Sequence, residues 1–213
     1  MKNKNSFFSN LKSIFLAIFI ALLIRSFIAE PFNIPSGSMK PNLLVGDFIF
    51  VSKWSYGYSK HSLPFSIPII PGKILSKMPK RGDVVVFKTP TDNRTDYIKR
   101  VIGLPGDTIR IIDGQIQING NLVLKKITKP FIDNTNYENK RKRQYLEYFF
   151  DKEILVLDLH DLGLNSSDNT ELITVKEGYI FVMGDNRDNS ADSRVIGQIP
   201  IKNLVGKAQF VFF

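Results

Sequence analysis

TIRIIDGQIQINGNLVL, from Thr108 to Leu124, is the stretch on which the fold class turns. Its apolar residues alternate with polar ones, and Asp113-Gly114 and Asn119-Gly120 interrupt the alternation at the two places where a tight hairpin needs left-handed backbone. The spacing predicts a three-stranded antiparallel meander. On either side the same signals recur: Asp47 to Lys53 (DFIFVSK) alternates as a half-buried strand, and Asp83 to Lys88 (DVVVFK) is a compact β-branched run. Both follow a glycine. Further strands are expected at Tyr179 to Met183 and from Gly206 to Phe213, and neither an internal repeat nor a second long helix is visible. The chain has 213 residues, enough for one sizeable core, and is 43% hydrophobic and 12% aromatic. The expected fold is therefore mainly β, an antiparallel-sheet body over residues 30–124 and 175–213. Between Lys125 and Thr174 the sequence turns polar, with Asn134, Asn136, Asn139 and Asn165-Ser166-Ser167-Asp168, and reads as an inserted, more variable subdomain. The stretch Ser55 to Lys80 holds Pro64, Pro68 and Pro71 among Phe65, Ile67, Ile69 and Ile70, too proline-rich for a central strand, its apolar residues facing either lipid or core.

Ahead of this body, Leu11 to Ala29 (LKSIFLAIFIALLIRSFIA) is about the length of helix that crosses a hydrocarbon core. Its charge-free centre, Ser13 to Ile24, is as short as the apolar region of a cleaved signal peptide, but Phe27 and Ile28 before Ala29 do not make a small-residue cleavage site. Residues 13–29 are read as an uncleaved anchor. Lys2, Lys4 and Lys12 place residues 1–12 on the cytoplasmic side by the positive-inside rule, and Glu30 and Pro31 end the helix at the outer interface. The net charge of +9 suits a membrane surface better than nucleic acid. The densest basic cluster, Lys140-Arg141-Lys142-Arg143, lacks interleaved aromatics and reads as a solvated loop.

The chain has no cysteine, which excludes thiolate nucleophiles and disulfides, and its two histidines, His61 and His160, sit in contexts unlike those of catalytic imidazoles. Directly after the anchor, Ile34-Pro35-Ser36-Gly37-Ser38-Met39-Lys40-Pro41 presents two serines in a turn-prone segment, which by composition alone also describes an ordinary loop. A serine hydroxyl needs a base, and without a suitable histidine a buried lysine, neutral through desolvation, is the best alternative. In Tyr97-Ile98-Lys99-Arg100-Val101-Ile102, strand alternation puts Lys99 on the face of Tyr97 and Val101, so that Lys99 would point inward and Arg100 to solvent. The pattern alone is equally that of two surface basics. Gly184 to Arg194 (GDNRDNSADSR) is too polar for core and suits a hydrogen-bonded scaffold. Its oxygens also invite a cation, but it lacks an EF-hand's terminal glutamate and carries arginines, so no metal is expected.

These segments together resemble the bacterial type I signal peptidases, the membrane-bound Ser/Lys leader peptidases. The resemblance lies in EPFNIPSGSMKP (Glu30 to Pro41), LLVGDFIFVSK (Leu43 to Lys53), RGDVVVFK (Arg81 to Lys88), DYIKRVIGLPGD (Asp96 to Asp107) and GDNRDNSADSR, all in family order. Asn42 departs from the family's usual threonine, with an effect expected on loop packing more than on chemistry. The resemblance implies that Ser38 is the nucleophile and Lys99 the general base. Ser36 and the Ser38 amide would form the oxyanion hole, and Ser190 would orient Lys99. Arg100 with Asp185, and Asp192 with Arg194, would be structural ion pairs. Shallow pockets for small side chains would be lined by Phe32, Ile34, Pro35, Leu43, Ile49, Val86, Ile98 and Ala191. It further implies cleavage of signal peptides from translocated precursors, without a cofactor. The enzyme would sit in the cytoplasmic membrane with its catalytic domain outside, near the secretion translocon, and would not bind nucleic acid. The self-cleaving repressors share a Ser/Lys dyad but need a DNA-binding helix-turn-helix, where this chain has an apolar span.

Overall fold

In the computed structural model the described residues are 2–63, 66–67, 69–133, 140–158 and 167–213, with side chains for all of these except 2–9 and 140. His160, Asn134, Asn136, Asn139, Asn165, Ser166, Pro64, Phe65 and Pro68 lie outside them.

The apolar N-terminal run forms helix α1, Lys2–Leu23, continued by a π-helical segment, Ile24–Ile28. From Asn10 to Leu23 its side chains face outward, Phe15 being 72% exposed. Among the described residues it is the one helix long and apolar enough to cross a membrane, over Asn10–Ile28. The chain then turns directly into strand β1, Ala29–Asn33. Pro31 is tolerated there because β1 is an edge strand, where a missing N–H breaks no ladder. The junction is held by hydrogen bonds from Lys53 N to Ile28 O (3.1 Å) and from Tyr58 Oη to Phe27 O (2.9 Å). Glu30 joins Arg25 to the buried Lys53. Burial alone would raise the Glu30 carboxyl, but Lys53 and Arg25 outweigh it and hold the group below the usual carboxylate range.

The remaining strands are β2 (Phe48–Ser52), β3 (Tyr58–Ser59), β4 (Lys73–Ile74), β5 (Val84–Lys88), β6 (Asp96–Gly103), β7 (Thr108–Ile112), β8 (Gln115–Ile118) and β9 (Asn121–Leu122). They are followed by β10 (Leu124–Ile127), β11 (Phe131–Asp133), β12 (Lys140–Lys142), β13 (Gln144–Phe149), β14 (Lys152–Leu157) and β15 (Ile173–Thr174). The last are β16 (Tyr179–Met183), β17 (Ile199–Pro200) and β18 (Leu204–Val211), with the short helix α2, Ser193–Ile196, between β16 and β17. The main sheet runs β1-β2-β18-β5-β6-β16-β17, and the meander forms a second sheet, β15-β7-β8-β9. The turns of the meander are made as expected, with Asp113, Gly114, Asn119 and Gly120 all at positive φ.

Strand alternation divides the core. Val84 and Val86 face a cluster with Ile34, Met39, Leu43, Ile49 and Ile98, while Val85 and Phe87 face another with Val101, Ile180 and Val182. A third cluster joins the meander to the polar stretch 125–174, whose described residues form sheet: β10-β13-β14 and the antiparallel pair β11-β12. Charged outward positions such as Lys126 and Glu153 mask an inward alternation that buries Phe149, Ile154 and Val156 against Ile109, Ile111 and Ile116. Within the basic cluster Lys140–Lys142 is likewise strand rather than loop, with Arg141 and Arg143 exposed. Phe149→Ala removes a side chain that is 1% exposed at this seam. It is expected to destabilise the fold by about 3–5 kcal/mol, read as a lowered midpoint in thermal or urea unfolding.

Candidate active site

Three segments of the main sheet converge on one cleft. The chain leaves β1 into a single 3-10 turn, Gly37–Met39, which carries Ser38. Strand β6, flanked by β5 and β16, carries Lys99. Beyond β16 the polar loop 184–192 closes over both. The open cleft, of about 340 Å³, is lined by Pro35, Ser36, Gly37, Ser38, Thr95, Asp96, Tyr97, Ile98, Lys99, Asn189 and Ala191.

Lys99 Nζ donates hydrogen bonds to Ser38 Oγ at 2.7 Å and to Ile98 O at 2.9 Å, although 61 residues separate the pair in sequence. Both residues are buried. Desolvation pushes the Lys99 ammonium down to about 8, against the attraction of Asp192 and Asp185, which favours the charged form. The Tyr97 ring lies 5.3 Å from Nζ on the same strand face, as alternation requires. Ser36 Oγ stands 3.4 Å from Ser38 Oγ.

The turn carrying Ser38 is held from behind by Asn186, whose Nδ2 donates to Gly37 O (2.9 Å) and whose backbone N–H donates to Ser38 O (3.0 Å). A peptide unit is planar and trans, so fixing the Gly37 carbonyl also fixes the direction of the Ser38 N–H on its opposite side. Gly184 permits the close approach of the polar loop. A Cβ built there would lie 2.5 Å from Ser38 O and 2.6 Å from Ser190 Cβ, closer than atoms can pack. Ser190 Oγ, expected to orient Lys99, is buried without a hydrogen-bond partner among the described residues, while Lys99 Nζ bonds Ser38 and Ile98.

Arg100 does not point to solvent. It is buried, and its Nε and Nη2 grip Asp185 at 2.7 and 2.6 Å, because the loop that follows β16 brings Asp185 to the face of β6 that alternation alone would leave open. Burial opposes the guanidinium charge, but Asp185 outweighs it, and Arg100 is held even more firmly protonated than usual. Asn42 Nδ2 reaches the same Asp185 carboxylate at 2.7 Å and Leu155 O at 2.7 Å, so this position takes part in the ion-pair scaffold as well as in loop packing. Asp192 caps α2 and receives Arg194 Nε at 2.9 Å. Of the residues expected to line the pockets, Pro35, Ile98 and Ala191 border the cleft. Ile34, Leu43, Ile49 and Val86, with Phe32 packed against them, form the apolar cluster that also contains Ile98.

The model of the family described as "Signal peptidase, peptidase S26" matches residues 7–213. The chain belongs to this signal peptidase family. Among its relatives, the signal peptidase I of Rickettsia canadensis is 43% identical over 217 residues, which cover 95% of this chain and 78% of that one. The signal peptidase I of Rickettsia conorii is 44% identical over 204 residues, 92% of this chain and 76% of that one. A solved signal peptidase I from Enterococcus faecalis is 26% identical and covers 62% of this chain and 98% of that one, with a TM-score of 0.38.

Within the signal peptidase frame, sequence reasoning passed over several residues of the site. Thr95, Asp96, Tyr97 and Asn189 border the cleft, and Tyr97 was legible from its i, i+2 relation to Lys99. Arg187 forms a fully buried, two-pronged pair with Glu147 at 2.6 and 2.7 Å, 40 residues away, for which no local pattern gave a signal. His61 is buried, bonded to Ser66 through Nδ1, and pushed down to about 4 by burial, away from the cleft lining.

Proposed function

We propose that this chain is a membrane-anchored serine endopeptidase that removes signal peptides from exported precursors, with Ser38 as nucleophile and Lys99 as general base. The observation that carries this reading is the buried 2.7 Å contact between Lys99 Nζ and Ser38 Oγ, made by a lysine that desolvation brings within reach of neutrality. In the neutral state the contact reverses direction, the Ser38 hydroxyl donating to Nζ. Lys99 takes the hydroxyl proton as Ser38 Oγ attacks the scissile carbonyl, and the Ser38 N–H and Ser36 hydroxyl stabilise the oxyanion. The Lys99 ammonium then gives its proton to the departing amine. Water, deprotonated by Lys99, attacks the Ser38 ester; Lys99 returns the proton to the departing Ser38 Oγ, and the signal peptide leaves as a carboxylate.

Pro35, Ala191 and Ile98, the last backed by Ile34, Leu43, Ile49 and Val86, give the cleft an apolar border that supports small side chains at the first and third positions before the cut. Residues 13–29 anchor the enzyme in the cytoplasmic membrane with residues 1–12 inside and the catalytic domain, 30–124 and 175–213 with its insert 125–174, outside. The site then stands close to the bilayer and to the translocon that delivers the precursor, where proximity shortens the search for substrate.

The test is cleavage of a precursor by the full-length chain in detergent, with the new N-terminus read by mass spectrometry. Since only neutral Lys99 accepts a proton, kcat/KM is expected to rise as pH increases through about 8 and then level. A profile that stays flat over roughly pH 6 to 10, the range around that titration, would remove Lys99 from the role of base.

A further inference from the structure

Lys40 lies two residues beyond Ser38 and is 4% exposed, unusual burial for a lysine. Its stem crosses the back of the nucleophile turn: a Cβ on Gly37 would stand 3.3 Å from Lys40 Cε and 3.4 Å from Cδ. Its ammonium donates to both oxygens of Asp133, at 2.7 and 2.9 Å. Asp133 sits on β11, 93 residues away, and Lys142 of the paired strand β12 donates to Asp133 Oδ2 at 2.7 Å. A buried ammonium needs a fixed counter-charge, and Asp133 supplies it. The pair β11-β12 therefore ends in a charge that reaches the turn holding Ser38.

We propose that Asp133 is a positioning residue: by holding Lys40 across Gly37 it fixes the turn Ser36-Gly37-Ser38, so that the insert sets the turnover rate. The proposal rests on Ser38 as nucleophile. Neither Lys40 nor Asp133 borders the cleft, so substrate binding is left alone while the aim of Ser38 Oγ changes. Misplacement of a reacting group by about 1 Å can lower rates by about 100-fold.

The experiment measures kcat and KM of the full-length enzyme on a precursor, well below each variant's melting midpoint. Asp133→Asn is expected to lower kcat about tenfold or more while KM stays within about twofold, and Asp133→Glu to retain most of kcat. Lys40→Met/Asp133→Leu, which replaces the ion pair by apolar contact, is expected to recover most of the loss, giving a non-additive cycle. Wild-type kcat in Asp133→Asn, an equal loss in a Lys40→Met background, or a change confined to KM overturns the proposal. Should Asp133→Asn not fold, Lys40→Met carries the same expectation and the same refutation. A wild-type chain that leaves the precursor whole overturns the functional reading and this proposal together. An active wild type with an unaffected Asp133→Asn overturns the proposal alone.

Discussion

Lys99→Met is expected to leave a folded protein whose precursor cleavage falls by about 100-fold to 10,000-fold, the contribution of a well-placed general base. The reasoning starts from burial. Lys99 is 4% exposed, and its ammonium is held against a desolvation penalty that already pushes its titration down to about 8. Methionine keeps most of the stem volume and removes the charge, so folding has little to lose. On the proposed mechanism, catalysis loses the atom 2.7 Å from the Ser38 hydroxyl that takes its proton in the neutral state. Ser38→Ala removes the proposed attacking atom and is expected to lose at least as much. Both are measured as initial rates beside thermal melts. Near-normal turnover in either variant, with the melt unchanged, contradicts the dyad.

Asp185→Ala is expected to lose as much stability as removal of the buried Phe149 ring. Asp185 is fully buried and receives two bonds from Arg100 and one from Asn42. Its removal strands a buried guanidinium, which cannot shed its proton as a lysine can. Breaking such a pair from one side costs about 3–5 kcal/mol, a large share of the roughly 5–15 kcal/mol that holds a domain together. For a chain of this size that corresponds to a melting midpoint lower by roughly 6–20 °C. The pair Lys88 and Asp96, 2.7 Å apart but partly exposed, provides the contrast: Lys88→Met should cost no more than about 1 kcal/mol, because solvent screens it. Equal shifts for the two variants would show that burial of the Arg100 pair is not what makes it strong.

The elements most legible in advance are those whose cause is local. Asp113-Gly114 and Asn119-Gly120 impose left-handed backbone at the points where β7, β8 and β9 reverse, and this chemistry operates within a few residues. The apolar run before Ala29 forms a helix for the same reason, and Pro31 falls where an edge strand tolerates it. Residues 125–174 were less readable because their apolar positions are interleaved with charges that belong to the outward face. Only the packing of Phe149, Ile154 and Val156 against the meander tells those two faces apart.

The site divides along the same line. Its chemical inventory, two serines in a turn, a lysine on a strand and a loop of amides and ions, is written in contiguous motifs, and so is the face of β6 that Lys99 shares with Tyr97. Whether Arg100 faced water or Asp185, and how Glu147, Asp133 and Asn42 brought the insert against the catalytic turn, depended on contacts across 40 to 143 residues of chain. Such contacts have no signature in a window of neighbouring residues, because the burial that makes a charge need its partner exists only once distant strands have packed.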